Sequence, residues 1–94
     1  MKAKTKALPK LTILEEAQNA VYGDRQADYG TVTENFNAIA SFWSTILKQE
    51  VTAEQVGLCM ITVKVAREMY KPKRDNIVDI AGYAATLEKL NKGQ

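Results

Sequence analysis

Ninety-four residues amount to a single domain, long enough for one modest core. The hydrophobic share of 46% and the charged share of 26% are those of an ordinary globular chain, and no run of 18 apolar residues offers a transmembrane helix. The formal net charge of +2 comes from Lys2, Lys4, Lys6 and Lys10; residues 11–94 hold nine basic and eleven acidic residues, which excludes a basic nucleic-acid module. Residues 1–10 are expected to form a flexible basic arm, and residues 11–94 a single helical domain. No signal-peptide pattern is present, so the expected setting is soluble and cytoplasmic, without membrane contact or sequence-specific nucleic-acid binding.

Three helix starts carry one signature. Thr12-x-x-Glu15, Thr31-x-x-Glu34 and Thr52-x-x-Gln55 are capping boxes, in which the Thr hydroxyl and the residue three positions on each satisfy an orphan backbone N–H. The first helix is predicted over 12–22, with Leu14, Ala17 and Val21 inward. The connector Tyr22–Gly30 follows, with two glycines bracketing Asp24, Arg25, Asp28 and Tyr29; it suits a turn and equally a functional loop. The second helix is predicted over 31–48, its apolar positions Val32, Phe36, Ile39, Trp43 and Ile46 spaced by four and three. The third is predicted over 52–70. It has one apolar seam at Val56, Cys59, Val63, Ala66 and Tyr70 and another at Leu58, Ile61, Val65 and Met69, so it is expected to be either central or at an oligomer interface. Cys59 reads as a small buried hydrophobe; a lone Cys without any His excludes a Cys/His zinc site. The fourth helix is predicted over 75–91, with Ile77, Ile80 or Ala81, Ala84 and Leu87 inward. The architecture expected is an all-α, four-helix up-down bundle that forms a homo-oligomer.

Charges embedded in apolar helices mark the candidate site, because an unpaired buried charge is costly. Lys64 and Arg67 are neighbours on the third helix, fit to hold phosphate or to pair with acids. Asp75, Asp79, Gly82, Tyr83 and Thr86 recur along one face of the fourth helix. Asp75 is equally a first-turn acid, and Asp79 equally an ion-pair partner for Lys64 or Arg67. Glu16 on the first helix could join Asp79 around one Mg²⁺, which takes one or two protein carboxylates and keeps other positions for water and phosphate oxygens. Trp43 reads as core, with stacking against a base as the alternative.

In order along the chain, Ile13-Leu14-Glu15-Glu16-Ala17, Tyr22-Gly23-Asp24-Arg25, Asp28-Tyr29-Gly30, Asn35-Phe36, Trp43, Lys64-Val65-Ala66-Arg67 and Arg74-Asp75 through Asp79-Ile80-Ala81-Gly82-Tyr83-Ala84 resemble a family of short phage and prophage proteins whose domain has no assigned function. That family is loosely similar to the MazG-like all-α nucleoside triphosphate pyrophosphohydrolases, helical oligomers that hold Mg²⁺ with paired acids on facing helices. The chain departs from the MazG pattern: Glu15 and Glu16 are followed three residues on by Gln18 and Asn19, and Asp75 and Asp79 are four apart.

Two functions follow as expectations. One is Mg²⁺-dependent release of pyrophosphate from a nucleoside triphosphate, with Glu16 and Asp79 on the metal. The other is binding without turnover, in the cytoplasm of a bacterial host: Arg25, Tyr29, Trp43, Lys64, Arg67, Asp75 and Tyr83 would recognise a nucleotide or nucleotide-derived phosphorylated ligand, sequestering a host signal, or the protein would bind a host protein. A structural bundle whose charged pairs fix helix register is the third alternative.

Overall fold

The computed structural model describes residues 10–23 and 30–94, and these form four α-helices and no strand. They are α1 (Ile13–Tyr22), α2 (Val32–Leu47), α3 (Ala53–Tyr70) and α4 (Arg74–Asn91). All three capping boxes are formed. Thr12, Thr31 and Thr52 each accept from the backbone three residues on, and Glu15, Glu34 and Gln55 each accept from the threonine N–H in return. The helix starts are therefore fixed locally, before any tertiary contact. α4 has a different device. Its N-cap, Lys73, makes no side-chain cap, and Asp75 lies exposed in the first turn.

α4 is the element to which the other three attach. It packs along α3, along α1 and, more lightly, against α2; α2 also packs on α3. Gly57 of α3 faces Leu87 of α4, Lys64 faces Asp79, and Glu68 faces Asn76, so these two helices run antiparallel. α1 touches no described helix except α4. Its start is held at the start of α4, where Arg74 donates to Glu16 and, over 2.7 Å, to the Leu11 carbonyl. Its end lies by Lys89. α1 and α4 thus run in the same direction, which differs from the alternating order expected of an up-down bundle. The reason is that α1 and α2 both sit on α4 instead of pairing with each other.

The core is small. Phe36, Ala40 and Val56 are buried together, with Val32, Ile39, Trp43, Met60, Tyr83 and Leu90 packed around them. Ala17, Val21 and Val78 are buried as well. Several sequence expectations are corrected here. Of the two places expected for α3, the central one belongs to α4, the helix covered on several sides; Cys59, expected buried, is exposed, and Tyr70 is 92% exposed. Leu14 and Ile46, expected inward, are each 74% exposed. On α4 the buried positions are Asn76, Val78, Gly82 and Thr86, while Ile77 and Ala84 face solvent. A helix wedged between several partners buries a broad face whose centre periodicity alone does not fix.

Candidate functional site

Because α1 and α2 share α4 without touching, a cleft remains between them, floored by α4. It encloses a cavity of about 270 Å³, near the lower end of the ~300–1,000 Å³ typical of small-molecule pockets. Val21, Phe36 and Val78 give it apolar walls; Asn35, Asp79, Tyr83 and Lys89 give it polar ones. Gly23 and Gly30, the two ends of the connector, both line the rim.

Each wall has a local cause. Tyr83 is positioned by Phe36, their ring centroids 6.4 Å apart in a tilted arrangement. Gly82 keeps the floor open: a Cβ there would meet only Val21 Cγ2, at 3.6 Å, which is ordinary contact. Thr86 donates its hydroxyl to the Gly82 carbonyl one turn back, 3.0 Å away, so it adds no free donor to the cavity. Asp79 accepts from Lys64 at 2.9 Å; the Lys64 side chain is 15% exposed and that of Asp79 42%. The ion pair lies between α3 and α4, and Asp79 presents its open side to the cavity.

Lys89 lies one end of the cleft away. Its ammonium stands 4.6 Å from the centre of the Tyr22 ring and 3.4 Å from the Val21 carbonyl. Among the described residues no carboxylate comes within 4.0 Å of it. Ten residues of helix separate Asp79 from Lys89, about 15 Å along the axis. The described contacts of Lys89 are thus an aromatic face and a carbonyl, both of which suit a cation.

Of the residues singled out in the sequence, Asp79, Gly82, Tyr83 and Thr86 line this cavity, and Lys64 reaches it through Asp79. Trp43 packs on the core cluster instead, while Arg67 and Asp75 are exposed away from the cleft. Glu16 is engaged by Arg74. Arg25 and Tyr29 lie outside the described residues. Among the described residues no group of three Cys, Asp or Glu side chains is placed to hold a metal ion. Lys89 and Asn35 were missed. A lysine in a last turn reads as a partner of the helix dipole, and an asparagine near a helix start as local polarity.

The class is thus an all-α protein with a small cleft on its central helix. Residues 12–91 match the model of the domain of unknown function DUF6378, and the chain belongs to that family. It is 42% identical over 82 residues to the Gene 55 protein of Mycobacterium phage L5, and 40% identical over 80 residues to that of Mycobacterium phage D29. Those alignments cover 85% and 84% of this chain and 53% of each relative, so the chain spans about half the length of the phage proteins it matches. No solved structure matches it. No described helix is long and apolar enough to cross a membrane.

Proposed function

We propose that this phage-type helical protein binds a nucleotide, or a nucleotide-derived phosphorylated ligand, in the cleft between α1 and α2 in the host cytoplasm. The observation that carries this reading is Lys89 at one end of an aromatic-walled cavity. The ammonium suits a phosphate; Tyr83 and Phe36 suit the face of a base; Asn35 and Asp79 offer hydrogen-bonding groups for its edge or for a sugar hydroxyl. A cavity of about 270 Å³ favours a mononucleotide over a dinucleotide.

Binding without turnover has the better support. Glu16 and Asp79, the acids that would hold Mg²⁺, each have a basic partner already. A MazG-like pyrophosphohydrolase would have to release both from Arg74 and Lys64 before loading metal, at a cost in interhelical contacts. Sequestering a host nucleotide needs no such rearrangement.

Thermal melting against mononucleotides, nucleoside triphosphates and cyclic dinucleotides, each with and without Mg²⁺, tests the reading, since a ligand specific to the folded state raises the melting temperature. The expected result is a metal-independent shift with a mononucleotide that Lys89→Met abolishes. A shift that requires Mg²⁺, followed by pyrophosphate release, would install the hydrolase in its place. No shift with any member of the panel would remove nucleotide binding altogether.

A further inference from the structure

α3 turns one face to α4, through Gly57, Lys64 and Glu68, and another to α2, through Val56 and Met60. Its remaining face meets no other described helix. Leu58, Val65 and Met69 form one ridge there, 54%, 43% and 82% exposed, and Val63 and Tyr70 form a second, 37% and 92% exposed. Between the ridges run Cys59, Thr62 and Ala66, all exposed and all small. Over these thirteen residues the face carries no charge, since Lys64, Arg67 and Glu68 project elsewhere on the helix. Of its two hydroxyls, that of Thr62 already donates to the Cys59 carbonyl at 2.6 Å, so its burial would strand no donor, and that of Tyr70 sits at the far end of the face, 92% exposed.

We propose that this face is a homodimer interface in which two copies of α3 pack antiparallel, crossing near Thr62. Three observations select a second copy as the occupant. The first is area. The exposed surface of these residues amounts to roughly 700 Å², close to the ~800 Å² per partner of a standard interface and above the few hundred Å² that monomers usually leave in one patch. The second is shape: a valley of small residues between two ridges of large ones accepts an identical helix, which is what a two-fold interface requires of a single surface. The third is charge. Glu54 stands at the start of α3 and Arg67 and Lys71 at its end, so an antiparallel pair brings the acidic end of one helix alongside the basic end of the other, where a parallel pair would set like ends together. A two-fold axis midway between Thr62 and Val63 places Cys59 of one copy opposite Ala66 of the other. The proposal does not rest on the ligand reading; the cleft lies on α4, away from this face.

Sedimentation of the chain across micromolar concentrations tests it. The expected mass is twice 10.5 kDa. Val65→Glu and Met69→Glu each replace an exposed side chain and are expected to give monomers with unchanged helical circular dichroism. In a Cys59→Ser background, Thr62→Cys is expected to oxidise to a covalent dimer, whereas Ser41→Cys on α2, exposed but off this face, is not. A monomer at every concentration overturns the proposal and leaves the face to a different protein partner. A dimer untouched by both glutamate variants, or one cross-linked through position 41 and not 62, overturns it equally.

Discussion

Glu68 of α3 caps the next helix through Asn76. The Glu68 carboxylate accepts from the buried Asn76 amide at 3.1 Å and from the Lys73 backbone N–H at 3.0 Å, and the same amide leans on the Lys71 carbonyl at 3.5 Å. α4 lacks a capping side chain of its own, so the preceding helix supplies one. Glu68→Ala is expected to cost about 1–2 kcal/mol in urea unfolding, and Asn76→Ala a similar amount. The double variant should cost clearly less than the two together, because both remove one shared interaction. Additive losses would mean that the two residues act separately.

The Lys64–Asp79 pair is predicted to respond asymmetrically. Lys64 is largely shielded, while Asp79 reaches water. Asp79→Ala strands an ammonium in a poorly solvated place and should cost about 2 kcal/mol. Lys64→Met fills the same space with an apolar chain and leaves Asp79 free to rehydrate, so its cost should stay below about 1 kcal/mol. Equal losses in chemical denaturation would show that shielding of Lys64 does not govern the pair.

Acid sensitivity is predicted to separate the helices. The capping hydrogen bonds from Thr12 and Thr31 hold the carboxyl groups of Glu15 and Glu34 below their ordinary value of 4.5. A lowered folded-state value means that the unfolded chain takes up protons first. The stabilisation is therefore present above about pH 4.5 and fades as pH falls through the lower folded-state values. Glu15→Gln with Glu34→Gln should flatten stability against pH in that window. α3, whose box is closed by neutral Gln55, is the internal control. Amide signals at the starts of α1 and α2 should weaken on acidification before those at the start of α3, and simultaneous loss at all three would contradict this account.

Two buried glycines are predicted to differ in sign. At Gly57 a Cβ would come within 2.8 Å of Leu87 Cδ2 and 3.4 Å of its Cγ, so Gly57→Ala forces α3 and α4 apart or displaces Leu87, a strain of about 1–3 kcal/mol that outweighs the better helix propensity of alanine. At Gly82 the added methyl finds room, and Gly82→Ala should stabilise by up to about 1 kcal/mol. The same methyl occupies the cavity floor, so ligand affinity should fall as stability rises. Melting and ligand titration of the two variants check both halves.

The helix boundaries were legible because their determinants are local. Each capping box encodes its own start, and the predicted starts and ends lie within one residue of those observed. Burial was less legible. Cys59, Val65 and Met69 have the periodicity of a core face, and sequence cannot distinguish a face that meets its own chain from one left bare. Within the site, Asp79 and Tyr83 were visible as polar groups in apolar helix. Lys89 was not, since its role depends on where the end of α1 falls, a contact between residues far apart in sequence. The directions of α1 and α4 were hidden for the same reason.

α1 has only one described neighbour among the helices, and this gives the molecule an uneven stability. Releasing it breaks the Glu16–Arg74 clamp and uncovers Ala17 and Val21, yet leaves the α2–α3–α4 core closed. A segment attached along a single seam opens at a fraction of the free energy of global unfolding, so its amides exchange with solvent earlier than those of α3 and α4. Since Val21 and Tyr22 also wall the cleft, the seam that holds α1 and the door of the cavity are the same place. Any molecule held there tightens that joint, and slowed hydrogen exchange confined to α1 would report occupancy even where no enzymatic readout exists.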